Sequence, residues 1–296
     1  MLTISQNKTA PPIPAGNERV HSLVNSHKNE VLNFLAARPR HTFIMTSWIR
    51  DNGLVSDFNR GRFYGCRDAE GRLQGVALIG HITLFETEMD PALAAFASLT
   101  HGCPTAHTVL GEENQVSQFL NYYARGGQAP RMVCRDLLFE KRAASNVETV
   151  PSLRPATIKD LDLIVPAHAQ TALEESGINP LEADPEGFRQ RCARRVEQRR
   201  VWVSIEQERL KFKADIVSNT PEVVYIEGVY VSSEHRGNGY GARCMTQLTN
   251  SLLSRTKSVC LLVSQTNSAA QACYRKAGYK LRETYDTLYL AQQKPF

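Results

Sequence analysis

From position 236 the chain reads Arg236-Gly237-Asn238-Gly239-Tyr240-Gly241, glycines at alternate positions behind a permanent cation. Before this run Val223, Val224, Ile226, Val229 and Val231 form an alternating, β-branched pattern that predicts a strand; after it Cys244, Met245, Leu248, Leu252 and Leu253 recur at helical spacing. The glycines therefore mark a strand-to-helix junction. There the first helical turn has N–H groups without intrahelical acceptors, and the helix dipole adds partial positive charge. Such a junction suits a phosphate. Gly237, Gly239 and Gly241 let the backbone approach an anion closely and permit positive φ, while Arg236 supplies a cation at the rim. The same spacing also fits a plain turn into a tightly packed helix, so the residues beyond it decide between the two.

A second apolar run over residues 259–263 leads into Asn267-Ser268-Ala269-Ala270-Gln271-Ala272-Cys273-Tyr274-Arg275-Lys276-Ala277-Gly278-Tyr279, which predicts a short helix closed by a glycine C-cap. Asn267 and Tyr274 fall on one face of it. The V-x-V strand end, the R-G-x-G-x-G loop, the next strand and the N-x-x-A-x-x-x-Y-x-K-x-G-Y segment together resemble the GNAT superfamily of acyl-CoA-dependent N-acyltransferases, over the last half of the chain. The resemblance implies acetyl-CoA as cosubstrate. It implies that the Val229-Tyr230-Val231 backbone pairs with the pantetheine amides as an added strand would. Arg236, Gly237, Asn238, Gly239, Tyr240 and Gly241 would hold the pyrophosphate, Asn267 the pantetheine arm, and Tyr274 would lie near the thioester sulfur.

Acyl transfer from a thioester to an amine needs a neutral amine, a polarised carbonyl and a proton for the departing thiolate. In the resembled family a backbone N–H of the V-x-V strand points at the thioester oxygen, here that of Val231 or a neighbour. Tyr274 matches the family tyrosine that protonates the sulfur; packing of an amphipathic aromatic at a helix competes with that role. Asn267 is also a good N-cap, and both of its roles can coexist. For the base, Glu227 shares strand parity with Val229, and some members, of the serotonin acetyltransferase type, carry a basic catalytic group there. A carboxylate that only orients a cationic acceptor fits Glu227 equally, and Tyr225 is a secondary candidate. Leu262 stands where other members place a base and cannot serve. His168 and His235 read as surface or helix residues and Cys273 as core, so transfer is expected to be direct, without an acyl-enzyme. No metal-ligand spacing occurs, and no metal is expected.

The elements that would position these groups form two similar series. Residues 29–37 and 42–50 predict helices broken by Pro39, then a hairpin over 63–67 and 73–80, a strand at 82–85, a helix at 91–99, a strand at 107–110, a helix at 112–123 and a strand at 132–139. The second series has helices at 159–176 and 185–197, a hairpin over 201–205 and 210–217 turned at Gln207-Glu208, then the strand, loop and helix above and a final pair of strands near 279 and 287–290. Shared order without identity suggests a divergent repeat. The first copy has no R-G-x-G-x-G and would lack a phosphate cradle. The expected fold is α/β, α+β with a mixed sheet: tandem acyl-CoA N-acyltransferase (GNAT) folds, the first degenerate. Its expected division is a flexible leader at 1–18, a degenerate GNAT-like domain at 19–142, a linker at 143–151 and a catalytic domain at 152–296. The first half also resembles, by order of elements and by Phe63-Tyr64-Gly65 and Gly75-Val76-Ala77-Leu78-Ile79-Gly80, the domain fused in front of uncharacterised bacterial acetyltransferases.

A net charge of +5 over 296 residues is modest, and its one dense cluster, Arg189, Arg191, Arg194, Arg195, Arg199 and Arg200, fits the solvated face of a helix whose apolar side is Phe188, Cys192 and Val196. A surface for an acidic acceptor or partner is the alternative. No nucleic acid is expected, and no membrane partner, because no apolar run approaches spanning length. Seven cysteines without a C-x-x-C point to free thiols in the cytoplasm. The function expected is transfer of an acetyl group to a primary amine, on a small molecule, peptide or protein, by a monomer or homodimer. A coenzyme A-binding regulator without turnover and an interaction scaffold are the alternatives, the intact glycine loop weighing against the scaffold.

Overall fold

The computed structural model describes residues 20–126, 129–146 and 148–291, so the expected leader at 1–18 lies outside the described residues. The chain divides into two compact units, Met1–Cys134 with Asp286–Phe296, and Arg135–Tyr285. The first contains β1 (Val20–Ser22), α1 (Lys28–Leu35), α2 (Pro39–Asn52), β2 (Gly61–Arg67), β3 (Leu73–Gly80), β4 (Ile82–Thr87), α3 (Asp90–His101), β5 (Thr108–Glu112), α4 (Glu113–Ala124) and the start of β6 (Pro130–Lys141). The second continues β6 and adds β7 (Leu153–Pro155), α5 (Leu161–Ser176), α6 (Pro180–Ala183), α7 (Pro185–Glu197), β8 (Val201–Glu206), β9 (Arg209–Asn219), β10 (Val223–Val231), α8 (Tyr240–Leu253), β11 (Ser258–Ser264), α9 (Ser268–Lys276) and most of β12 (Lys280–Leu290). The architecture is mixed α/β, as the two series of patterns imply.

In the first unit the strands run in the order β1, β2, β3, β4, β5, β12; β1 to β4 are antiparallel and the β4–β5 pair is parallel. Between β4 and α3 only Glu88 and Met89 intervene, and Asp90 opens the helix. Two carboxylates thus stand where the second unit has glycines. The core of this unit gathers Phe85, Phe96, Phe119 and Tyr123, with Phe85 and Phe119 stacked at 5.1 Å.

In the second unit the order is β6, β11, β10, β9, β8, β7, with β10 and β11 parallel. The β8–β9 hairpin turns through Gln207 and Glu208, both at positive φ (50° and 59°), the backbone that a tight two-residue hairpin demands. Helix α8 buries Cys244, Met245, Leu248 and Leu252 with Val224, Ile226, Val259 and Leu261 of the sheet. Each fully buried aliphatic side chain of this size stabilises by about 1.5–3 kcal/mol. This packing holds the start of α8 against the end of β10.

Three local expectations differ from the structure. The helix pair is broken just before Pro39, which opens α2 at its first position, where its missing N–H is not needed, so this helix starts at 39 and not at 42. The final strands form one continuous β12, because Arg282, whose polarity reads as an interruption, is satisfied within the strand by Glu140 at 2.9 Å. The three-residue strands β1 and β7 are too short to register as an alternating pattern.

Candidate active site

The site begins where β10 leaves its parallel neighbour. Among the described residues, β10 and β11 pair only from Val223↔Ser258 to Ile226↔Leu261. Strand β11 continues on its other side, where Leu262, Val263 and Ser264 pair with Leu138, Leu137 and Asp136 of β6. On β9 the register slips: Glu227 faces Asp215 but Tyr230 faces Lys213, so β10 spends one extra residue there. That is a β-bulge, and Gly228 occupies it at φ +57°. The extra residue turns Val229, Tyr230 and Val231 away from β11 and opens a wedge between the two parallel strands.

At the end of β10 the chain enters the glycine loop. Gly237 and Gly239 take φ of +79° and +81°, conformations that favour glycine, and Gly239 caps α8. Asn238 Oδ1 accepts from Tyr240 N–H at 3.0 Å, while the N–H groups of Gly239, Gly241 and Ala242 have no acceptor among the described residues. Arg236 donates from Nε to the Val231 carbonyl at 2.9 Å, which fixes its guanidinium beside the loop. A Cβ at Gly239 would lie 2.8 Å from Lys276 Nζ and 3.9 Å from an Arg243 guanidinium nitrogen. The cradle is therefore flanked by three cations. A Cβ at Gly241 would lie 2.9 Å from Val231 Cγ2 and 3.4 Å from Cys273 Sγ, so β10, α8 and α9 converge at that glycine. The Tyr240 side chain points elsewhere, hydrogen-bonded to Ser204 Oγ at 2.6 Å in the core.

Tyr274 is held by the end of its own helix. Tyr279 N–H donates to the Tyr274 carbonyl at 3.0 Å and Gly278 N–H to the Arg275 carbonyl at 3.0 Å, with Gly278 at φ +90°. These two bonds make a Schellman motif, and the accompanying side-chain contact is the Tyr274–Tyr279 ring pair at 6.1 Å. Tyr274 is 7% exposed, also meets Phe139 at 6.4 Å between ring centroids, and has no hydrogen-bond partner for its hydroxyl among the described residues. Burial pushes its pKa far up, so it stays protonated. Asn267 sits exposed at the N-cap of α9, its Oδ1 accepting from Ala270 N–H at 3.0 Å.

The wedge is also acidic. Glu227 is half-buried and pairs with Arg195 at 3.2 Å. Glu175, at the end of α5, keeps an exposed edge, yet the protein around its carboxyl group, then the charges of Glu227 and Asp136, push its pKa up to about 7. The residue as a whole is exposed, while its carboxyl group is the part that other carboxylates crowd. Burial raises the Tyr225 pKa well above its ordinary value, with Glu227, Asp136, Glu175 and Tyr274 adding to it. Behind Glu227 lies a buried network: Asp215 Oδ2 meets Lys213 Nζ at 2.8 Å, His168 Nδ1 at 3.1 Å and an Arg195 nitrogen at 3.3 Å. Desolvation holds His168 below its ordinary pKa, hence neutral.

Sequence reasoning singled out Glu227 and Tyr225 but passed over Glu175, Asp136, Lys213 and Asp215. The i, i+2 spacing of Lys213 and Asp215 follows the alternation that Arg209 and Lys211 begin, so the sequence alone does not mark the pair as buried. The arginine cluster is paired in part, Arg189 with Asp162 at 2.7 Å and Arg191 with Asp184 at 2.9 Å, while Arg195 turns inward. Burial pushes the Cys273 thiol up to about 11, which disfavours its thiolate.

Residues 190–279 match the family described as acetyltransferase (GNAT) family, which transfers acyl groups from acyl-CoA. No curated protein matches in sequence. Among solved structures, a Drosophila protein is similar with TM-score 0.66 at 13% identity, over 93% of this chain and 99% of that one. A GNAT-family acetyltransferase from Colwellia psychrerythraea is similar with TM-score 0.55 at 13% identity, over 92% of this chain and 99% of that one. A tandem GNAT protein from the clavulanic acid biosynthesis pathway is similar with TM-score 0.54 at 14% identity, over 93% and 99% of the two chains. Among the described residues no helix is long and apolar enough to cross a membrane. The fold is thus that of tandem GNAT proteins, and residues 190–279 of the chain carry a domain of the acetyltransferase (GNAT) family.

Proposed function

We propose that the protein transfers an acetyl group from acetyl-CoA directly to a primary amine, with residues 152–296 as the catalytic domain and the first copy unable to hold the cofactor. The observation that carries this reading is the wedge between β10 and β11, with a glycine-capped helix N-terminus at its base. Pantetheine in the wedge would pair with the backbone of Val229, Tyr230 and Val231. The pyrophosphate would rest on the loop from Arg236 to Gly241, with Lys276 and Arg243 beside it. Asn267, exposed at the cap, would reach the pantetheine arm.

The acidic mouth favours an amine that arrives as an ammonium. Glu227, already neutralised by Arg195, orients it, and Glu175, poised near neutrality, takes its proton directly or through water. The free amine attacks the thioester carbon, a β10 N–H steadies the carbonyl oxygen, and the tetrahedral intermediate collapses with loss of the coenzyme A sulfur. Tyr274, protonated and without a partner, supplies the proton to that sulfur, and the proton that the nitrogen sheds on becoming an amide returns through water to the tyrosinate. Thiol release from acetyl-CoA across a panel of small amines, amino acids and peptides tests this reading. Tight acetyl-CoA binding with no release above the buffer rate for any amine would replace it with a coenzyme A-binding regulatory role.

A further inference from the structure

Lys213 and Asp215 form an ion pair inside the core. Both are 0% exposed, on a strand whose neighbours Phe212, Ala214 and Ile216 are core residues. Burying an ion pair costs several kcal/mol per ion before pairing returns it, and apolar replacements of similar volume are often neutral or stabilising. What the pair does here is visible in its second contact: Lys213 Nζ donates to the Gly228 carbonyl at 3.2 Å as well as to Asp215 at 2.8 Å. Gly228 lies in the bulge, where neither it nor Val229 has a register partner on β9. A carbonyl cut off from water without a donor costs about 1–3 kcal/mol, and less where it is part-buried, as at Gly228. The ammonium is that donor, and Asp215 holds the ammonium in place.

We propose that Lys213, anchored by Asp215, is a positioning residue that fixes the bulge at Gly228 and thereby aims the Val229–Val231 backbone into the wedge. Without the bulge, Val229 and not Tyr230 would stand opposite Lys213. Every later side chain would then change face and every later N–H would change edge, because strand directions alternate with a period of two. The amides offered to an acyl-CoA would be the wrong ones. Arg195 links the same carboxylate to Glu227, so the network that sets the strand also sets the acidic wall of the acceptor side. The network carries balanced charge: Lys213 and Arg195 against Asp215 and Glu227, with His168 neutral.

The inference rests on the acyl-transfer reading only for its kinetic consequence. The test uses the full chain with Lys213→Met and with the double variant Lys213→Met/Asp215→Leu, which removes the pair without leaving a lone buried charge. Melting temperature, amide hydrogen exchange of residues 227–231, and acetyl-CoA KM and kcat are measured. Expected is a double variant that melts close to the wild type but exchanges residues 227–231 at least about tenfold faster, with acetyl-CoA KM raised about tenfold or more and exchange of α8 unchanged. Should Lys213→Met alone fail to fold, the double variant carries the test. Wild-type exchange and KM in the double variant would overturn the proposal. So would failure of the double variant to fold, since the network would then be structural. A wild type that releases no thiol with any amine, while the double variant still loosens residues 227–231, counts against the transfer reading and leaves the bulge assignment standing.

Discussion

Gly239→Asp separates the cradle from the fold. In the free protein the substitution is mild. Asp tolerates the left-handed backbone better than most residues, so the strain at φ +81° is about 1 kcal/mol. A carboxylate at a helix N-terminus returns about 0.3–1 kcal/mol, and the nearest atom to the new Cβ is the flexible Lys276 ammonium, which can shift and pair with it. Stability without ligand should therefore move by less than about 1 kcal/mol. With a pyrophosphate in the cradle, the new charge lies about 4 Å from a phosphate oxygen, a repulsion of about 4 kcal/mol at an effective dielectric of 20, or about a thousandfold in affinity. At a concentration a hundred times the wild-type Kd, acetyl-CoA stabilises the wild type by about 2.7 kcal/mol, which raises the melting temperature of a unit this size by about 5–10 °C. The same concentration is only about a tenth of the variant's Kd, and its shift should be below about 1 °C. Differential scanning fluorimetry with and without acetyl-CoA reads both quantities. A variant that keeps the full ligand shift would place the coenzyme A site elsewhere and refute the cradle.

Other outcomes rest on the same geometry. Tyr274→Phe should lower turnover by about ten- to a thousandfold with acetyl-CoA affinity and melting temperature nearly unchanged, because the hydroxyl makes no hydrogen bond that folding would miss; steady-state kinetics beside calorimetry checks this. Activity should rise as pH climbs through about 7, where Glu175 loses its proton, and Glu175→Gln should flatten that limb of the kcat/KM profile. The folded state binds the Glu175 proton more tightly than the unfolded chain, so its effect on stability declines from pH 4.5 to about 7; the Gln variant should gain on the wild type over that range in thermal melts. Asp160 has the opposite sign: Arg154 and then the Thr157 contacts lower its pKa to about 2, so its contribution, about 1–2 kcal/mol, is present above pH 3.8 and lost as pH falls through about 2. Asp160→Asn should remove that acid-sensitive step from a pH series of melts. Titration calorimetry should count one acetyl-CoA per chain, since Glu88 and Asp90 border the N-terminus of α3 where the second unit has glycines.

Much of the site was legible because its parts are local. The loop needs glycines for positive φ, and Gly237 and Gly239 have it; the Schellman end of α9 needs Gly278, and the spacing from Asn267 to Gly278 announces both caps of one helix. The unread parts depend on pairing between strands that are distant in sequence. Glu175 and Asp136 stand on α5 and β6, and only the folded sheet sets their charges beside Glu227. Likewise, Lys213 and Asp215 look like solvent-facing residues of an alternating strand until α5 and α7 bring His168 and Arg195 onto Asp215. The continuity of β12 was hidden for a related reason: a polar stretch reads as a turn unless the partner that satisfies Arg282, here Glu140, is known.

The two copies of the fold sharpen what the second one requires. Strand β4 of the first unit also pairs with its parallel neighbour over a short stretch, Ile82↔Thr108 and Thr83↔Val109, so diverging parallel strands are a property of the fold and not of the chemistry. The copies differ in the connection from strand to helix. In the first, Thr87 Oγ1 accepts from Met89 N–H at 3.1 Å and α3 starts at once, its N-terminus bordered by acid side chains that repel a phosphate. In the second, a longer glycine-rich connection leaves several N–H groups open under three cations, and a bulge with its own buried ammonium turns the strand end toward them. On the proposed reading, function rests on a few junction residues, which the first unit lacks while it keeps the sheet and its core.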